Sequence, residues 1–245
     1  MKKTLSSNPN IRLVQSKQDC GHCDIEHLCI SAGMDEDSEE FNEIVKTSDS
    51  FDARERIFKR SDTVTSLYVI QSGAAKSQTT NADGRHQVVG FYFPGDLVGI
   101  ETIAIKKHPC DVFALEKTWL CEVPFEKLEH LCAEHPSLQH EMFMRMGERI
   151  YHDEYSCLLR RDETADKRVL SFITELYKKL EGSKYIKGTS IHLPMTKTDL
   201  SSYLGLQPET LSRTLKHLQA KGYIVNSASQ IEILDFEGIN QVVEN

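Results

Sequence analysis

A chain of 245 residues, 39% apolar and 27% charged with a net charge of −8, has room for two domains with separate cores and the composition of a globular protein. No run of about 18 apolar residues occurs, so no membrane-spanning helix is expected, and Met1–Cys20 is polar, without the apolar stretch of a secretory signal. A cytoplasmic location follows, where thiols stay reduced, so the seven cysteines argue against a disulfide framework.

Residues 1–31 have little helical or strand period and carry Cys20, Cys23 and Cys29. Three thiols within ten residues of a reduced chain read as a metal site. Three ligands do not fill a tetrahedral or cubane site, so a fourth must come from elsewhere, with Cys110, Cys121, Cys132 and Cys157 as candidates. Soft thiolates suit a 4Fe–4S cluster, and zinc is the competing metal, because a C-x2-C pair also begins zinc knuckles and redox motifs. His22 and His27 read as surface histidines, and Asp24 places a negative charge beside whatever the thiols hold.

A short acidic segment, Asp35–Lys46, has Phe41, Ile44 and Val45 at helical spacing. The period then changes. Ser66–Ile70, Val88–Phe93 and Trp119–Pro124 are short runs rich in β-branched and aromatic residues, separated by turn signals at Gln71–Gly73, Asn81–Gly84 and Phe93–Asp96. Many short strands at this spacing suggest a barrel or roll.

From Ser137 the pattern is helical. Phe143, Met146, Ile150, Asp153, Cys157 and Arg160 fall at alternating intervals of three and four, an a/d seam. A helix facing the core of a monomer rarely places an aspartate such as Asp153 in its apolar stripe, whereas a finely balanced dimer interface accommodates one. After a polar break at Arg161–Glu163, Val169, Leu170, Ile173, Leu176, Tyr177 and Leu180 mark a further amphipathic helix.

Met195–Gly222 carries the most specific signal. Thr196 with Asp199 forms a capping-box-like start, Gly205 ends that helix, Pro208 suits the first turn of the next and Gly222 closes it. Two short helices joined by a turn with glycine make a helix-turn-helix. In the second, Leu211, Leu215 and Leu218 face inward, while Glu209, Ser212, Arg213 and Lys216 share the opposite face near the N-terminal end that enters a major groove. Arg213 can donate two hydrogen bonds to a guanine, Glu209 can accept from a cytosine amino group, and Ser212 can serve a base or a phosphate. Tyr223–Val225 and Gln230–Ile233 are expected to form a small wing.

The charge fits such a reader once it is divided. From Glu163 onward basic and acidic side chains are equal in number, ten of each, so the stretch Met1–Asp162 holds the whole −8. Lys197, Arg213, Lys216 and Lys221 lie in one stretch of this neutral tail and are the candidates for phosphate contacts.

Glu209-Thr-Leu-Ser-Arg213, Phe93-Pro-Gly-Asp-Leu-Val-Gly99 and Cys20-x2-Cys23-x5-Cys29, in this order of roll, long helix and helix-turn-helix, resemble the FNR branch of the CRP/FNR family over nearly the full chain. The resemblance implies an α+β fold: a cyclic-nucleotide-binding-like β-roll, a long dimerisation helix and a C-terminal winged helix-turn-helix. The expected domains are 1–31 for the cysteine segment, 32–136 for the roll, 137–162 for the helix and 163–245 for the DNA-binding domain. The resemblance picks Cys121 as the fourth ligand, since the FNR group carries its last cluster cysteine in the context Leu120-Cys-Glu-Val-Pro-Phe125. It also implies that Glu209, Ser212 and Arg213 read inverted repeats with TTGAT half-sites, and that RNA polymerase is contacted through loops of the roll, here the turns at Ser72-Gly73 and Asp83-Gly84-Arg85. Cyclic-nucleotide members hold the phosphate with an Arg-Ser pair; this chain has Lys107-His-Pro-Cys-Asp111 there, of the wrong charge for a phosphodiester, and cyclic AMP is not expected as effector.

The implied protein is a homodimer, apart from any membrane, whose dimerisation and promoter binding follow an oxygen-labile 4Fe–4S cluster. The bound segment would favour the dimer while the two Asp153 carboxylates across the two-fold axis oppose it. A regulator of the same fold using thiol redox, heme or a small ligand is the alternative. A cyclic-nucleotide module such as a kinase regulatory subunit would lack the Glu209–Arg213 helix. No nucleophile–base constellation or glycine-rich phosphate loop is present, so an enzyme is not expected.

Overall fold

The computed structural model describes residues 4–5, 11–14, 20, 23–34, 39–81 and 83–244. The chain divides into two compact units, Met1–Ile150 and Tyr151–Asn245, so the boundary falls inside the long helix. No described helix is long and apolar enough to cross a membrane.

The first unit begins with β1 (Thr4–Leu5) and β2 (Arg12–Val14), then two single 3-10 turns at Glu26–Leu28 and Ile30–Gly33, and α1 (Glu39–Ile44). The roll follows: β3 (Lys46–Ser48), β4 (Arg56–Phe58), β5 (Ser66–Ser72), β6 (Ala75–Thr80), β7 (His86–Tyr92), β8 (Leu97–Val98), α2 (Thr102–Ile105), β9 (Asp111–Ala114) and β10 (Trp119–Pro124). It is closed by α3 (Phe125–Glu134) and leads into α4 (Pro136–Asp162).

Two sheets build the roll, one ordered β1-β2-β3-β10-β5-β8 and the other β4-β9-β6-β7. Side chains on a strand alternate between faces, and the larger sheet uses both. Tyr68, Ile70, Val98 and Leu120 meet Ile57, Phe58, Ala75, Tyr92, Val112 and Ala114 of the smaller sheet in one buried core. Leu67, Val69, Cys121 and Val123 point the other way, into a second core with Phe41, Ile44, Phe125, Leu128, Leu131, Leu138, Met142, Cys29 and Ile30. The expected strands Ser66–Ile70 and Trp119–Pro124 thus have a second buried face, which holds the cysteine segment.

Three sequence expectations need correction. The segment 1–31 contains strands: Thr4 pairs with Leu13, and Leu13 and Val14 pair with Ser48 and Thr47, which extends the larger sheet. The acidic segment is helical over Glu39–Ile44 among its described residues, and Lys46 already belongs to β3. The first wing strand starts one residue late, because the Tyr223 amide still donates to the Leu218 carbonyl at 3.2 Å.

The second unit comprises the end of α4, α5 (Ala165–Lys179), β11 (Ile186–Lys187), β12 (Ser190–His192), α6 (Lys197–Leu204), α7 (Pro208–Ala220), β13 (Ile224–Asn226), β14 (Gln230–Ile233) and α8 (Phe236–Glu244). Thr164 caps α5, accepting from the Lys167 amide at 3.3 Å. Val169, Leu170, Ile173, Leu211, Leu215, Leu218, Ile231 and Ile233 are buried. The wing is a four-stranded sheet, β11-β12-β14-β13.

Candidate DNA-reading helix and cysteine site

The reader is built by its caps. Thr196 Oγ1 accepts from the Asp199 amide at 3.1 Å and Asp199 Oδ2 accepts from the Thr196 amide at 3.3 Å, so both ends of a capping box are closed at the start of α6. Gly205 takes φ 66°, a left-handed conformation that costs glycine little, and turns the chain out of α6. The Arg168 guanidinium donates to the carbonyls of Glu163 at 2.9 Å and Leu204 at 3.4 Å, tying the end of α6 to the start of α5.

Pro208 stands in the first turn of α7, where its missing N–H costs nothing. Leu211, Thr214, Leu215 and Leu218 are buried, and Glu209, Ser212, Arg213 and Lys216 are all exposed on the other side. Arg213 is steadied by Thr210, with Nη2 donating to Oγ1 at 3.4 Å. Lys197 is exposed at the start of α6. Lys221 differs from the other phosphate candidates: its Nζ lies 3.6 Å from Asp166 Oδ2, which also lies 3.0 Å from His217 Nδ1. Asp166 therefore draws two basic groups at the far end of α7 back onto α5, whereas Lys197, Arg213 and Lys216 stand exposed.

The cysteines converge on the second face of the larger sheet. Cys121 pairs in register with Thr47 of β3 and Val69 of β5. Cys20 is set by its amide, which donates to Asn42 Oδ1 of α1 at 2.7 Å, and Cys23 follows in a turn whose amide donates to the Cys20 carbonyl at 3.3 Å. Cys29 stands just before the Ile30–Gly33 turn. Cys29 and Cys121 are buried, and Cys20 and Cys23 are half-buried. Burial, then the nearness of Cys29, Cys20 and Cys23, holds the Cys121 thiol well above its ordinary range. Burial does the same to Cys29, with Cys23 adding to it.

Two glycines seat this segment. A Cβ on Gly95, which has φ 91°, would run into the carbonyl oxygen of Leu28. A Cβ on Gly33 would stand 2.8 Å from both Leu138 Cα and the Ser137 carbonyl oxygen at the start of α4. The segment thus touches the roll at one glycine and the long helix at the other. Gly95 lies in the Phe-Pro-Gly-Asp run read as a turn, whereas Gly33 and Asn42 carry no sequence signal.

As placed, no three His, Cys, Asp or Glu side chains among the described residues form a closed metal site. The donor set nevertheless suits a soft metal centre: Cys29 and Cys121 share one buried core with Cys20 packed against it, Cys23 also acts electrostatically on the Cys121 thiol, and the carboxylate of Glu122 is turned to the opposite face, where it accepts from Ser66 Oγ at 2.8 Å. His22 lies outside the described residues, and His27 and Asp24 are exposed. Cys132 borders the same core, Cys110 is half-buried in the roll, and Cys157 is exposed on α4. Along α4, Phe143, Ile150, Asp153 and Cys157 are exposed and Met146 is half-buried; the side chain of Arg160 lies outside the description.

Residues 48–135 match the cyclic nucleotide-binding domain and residues 167–242 match the Crp-like helix-turn-helix domain. The chain is 33% identical over 224 residues to the fumarate and nitrate reduction regulatory protein of Escherichia coli (strain K12), spanning 91% of this chain and 89% of that one. It is 30% identical to the transcriptional activator protein FnrA of Stutzerimonas stutzeri, over 92% of each chain. Among solved structures it is similar to FixK2 from Bradyrhizobium japonicum, with a TM-score of 0.72 and 26% identity over 81% of this chain and 96% of that one. The protein belongs to the CRP/FNR family of transcription regulators. It is a DNA-binding regulator of the FNR/CRP type, a family that works by binding rather than catalysis.

Proposed function

We propose that this regulator is a homodimer whose promoter binding is controlled by an oxygen-labile 4Fe–4S cluster held by Cys20, Cys23, Cys29 and Cys121, switching gene expression for anaerobic conditions. The observation that carries the reading is that Cys29 lies in the same buried core as Cys121, with Cys20 packed against it and Cys23 also acting on the Cys121 thiol. When bound, the cluster supplies an oxygen-sensitive tether between the segment and β10. The chain's own residues do the rest. Gly95 lets Leu28 lie against the roll, and Gly33 lets the turn after Cys29 press on Ser137 and Leu138 of α4. That seat favours one placement of α4 and hence of the seam residues Phe143, Met146, Ile150, Asp153 and Cys157. Paired seams bring two copies of α7 to the two halves of an inverted repeat of TTGAT type, each with Glu209, Ser212 and Arg213 at base edges and Lys216 at phosphate. The hairpin tips at Ser72-Gly73 and Asp83–Arg85 are the surfaces offered to RNA polymerase; at the second, Arg85 Nε and Asp83 Oδ2 are 2.8 Å apart and exposed.

Anaerobic purification with iron and sulfide assays and a visible spectrum tests the sensor. About four irons per chain and a broad absorption that bleaches in air support it; zinc alone, or no metal, overturns it and leaves the DNA reader standing. The reader has its own test. Arg213→Ala should weaken binding to the inverted repeat by about 1–3 kcal/mol per half-site and relax the preference at one guanine. Lys216→Ala should weaken all sequences alike and flatten the salt dependence. Equal loss on every sequence from Arg213→Ala would remove it from base reading.

Gly95→Ala tests the seat. The side chain is forced into a left-handed backbone and against Leu28, at a cost on the order of 1–3 kcal/mol. Iron retention should drop while α-helical circular dichroism and binding to non-specific DNA persist. Full iron content in the variant would show that Leu28 does not need this approach.

A further inference from the structure

The side of α4 that faces the roll changes character along its length. Leu138 and Met142 are buried in the core beneath the cysteine segment. The next positions at helical spacing are Arg145 and Arg149. Arg145 pairs with its own helix, at 2.6 Å from Glu141 and 3.5 Å from Glu148. Arg149 instead reaches across to the smaller sheet, where its guanidinium carbon stands 5.1 Å from the centroid of the Tyr92 ring. Tyr92 is 2% exposed, and its hydroxyl lies 3.5 Å from Ser77 Oγ. The guanidinium packs closely on bare backbone here: a Cβ on Gly90 would lie 3.3 Å from Arg149 Nη2 and 3.4 Å from Ser77 Oγ. Glu101 and Cys110 border the same place.

The neighbour of Arg149 is the seam residue Ile150, 56% exposed. Successive residues on a helix point about 100° apart, so fixing Arg149 on the roll fixes the direction in which Ile150 points. Apolar contact with the core ends at Met142, two turns earlier, and cannot hold this rotation alone. A guanidinium over a buried aromatic face is attracted by the ring strongly enough to bias a balanced equilibrium several-fold.

We propose that Arg149 is a positioning residue for promoter binding: seated on Tyr92 against Gly90, it sets the rotation of α4 at which Ile150 and Asp153 meet their counterparts in a second copy. This rests on the dimeric reading above and adds an anchor to it that is independent of the cysteines. The roll of this chain takes a cation from its own helix on the β6–β7 face.

The test compares full-length Arg149→Met, which keeps the length and loses the charge, with Arg149→Lys, which keeps a cation over the ring. Each is purified without oxygen and measured for iron per chain, thermal midpoint, dimer dissociation constant and affinity for the inverted repeat. Arg149→Met should lose about tenfold in dimerisation and DNA affinity with iron and thermal midpoint unchanged, and Arg149→Lys should return to within about threefold of the parent. Parental affinity in Arg149→Met, no recovery in Arg149→Lys, or loss of iron together with affinity would each overturn the proposal. If the parent itself carries no iron, the cluster reading fails separately, and the order of the two variants against that parent on the same DNA still decides the role of Arg149.

Discussion

Asp153→Ala should give a protein that is dimeric and binds the inverted repeat in air. Asp153 lies on the exposed seam between Ile150 and Cys157. In a dimer built on that seam two carboxylates approach across the two-fold axis as water is excluded, and like charges so placed repel. Removing both should raise the dimer constant by about tenfold or more, the scale on which a switch poised near balance changes state. Sedimentation in air, with and without DNA, checks this. Asp153→Asn should behave in the same way, since it keeps the shape and removes the charge. An Asp153→Ala protein that stays monomeric in air would take the repulsion out of the mechanism.

Cys121→Ser is expected to abolish iron binding while leaving the roll folded. The substitution keeps nearly the same volume on β10, and a hydroxyl there stays beside Thr47 across the strand pair. A serine oxygen is a poor ligand where soft thiolates are required. Iron per chain should fall to background and anaerobic DNA affinity should fall with it, while the thermal midpoint moves by only a few degrees. Cys132→Ser and Cys110→Ser serve as controls and should retain iron. Cys132 borders the same core, yet it is not among the thiols that act on Cys121. If Cys132→Ser loses the metal and Cys121→Ser keeps it, the fourth ligand belongs to α3 and not to β10.

The reader was the most legible part of the chain because its signals are local. Thr196 with Asp199, Gly205 and Pro208 each act within a turn of where they stand, and each is found in the expected geometry. The long strands were legible for another reason: Ser66–Ser72 and Trp119–Pro124 are buried on both faces and read as short runs of β-branched and aromatic residues. Strands of two or three residues, such as Thr4–Leu5, Arg12–Val14 and Ile186–Lys187, exist by pairing with a partner strand and are too short to have a period to read. The helix Phe236–Glu244 went unread although it closes the second unit with buried Ile239. At the cysteine site the spacing of the first three thiols pointed to metal, but no spacing reaches from Cys29 to Cys121; only family likeness joined them in the sequence. Gly95 was visible as a turn, and its second task against Leu28 depends on a segment remote from it along the chain. Arg149 was hidden by the seam beside it, since a heptad reading discards the residues between its a and d positions.

The row Val14, Thr47, Cys121, Val69 runs across four adjacent strands of one sheet. The N-terminal cysteines therefore sit in a loop whose two ends, at Val14 and Thr47, are both stitched into the sheet next to Cys121. They are not on a free tail. The cost of closing a loop grows only with the logarithm of its length, and here the sheet has met it in advance. Whatever releases the thiols, they remain at a high local concentration beside their partner, so one chain presents all four together when iron and sulfide are supplied again. In the cluster reading, recovery of iron after exposure to air should therefore follow the supply of iron, sulfide and reductant rather than the concentration of the chain, without new synthesis of the regulator.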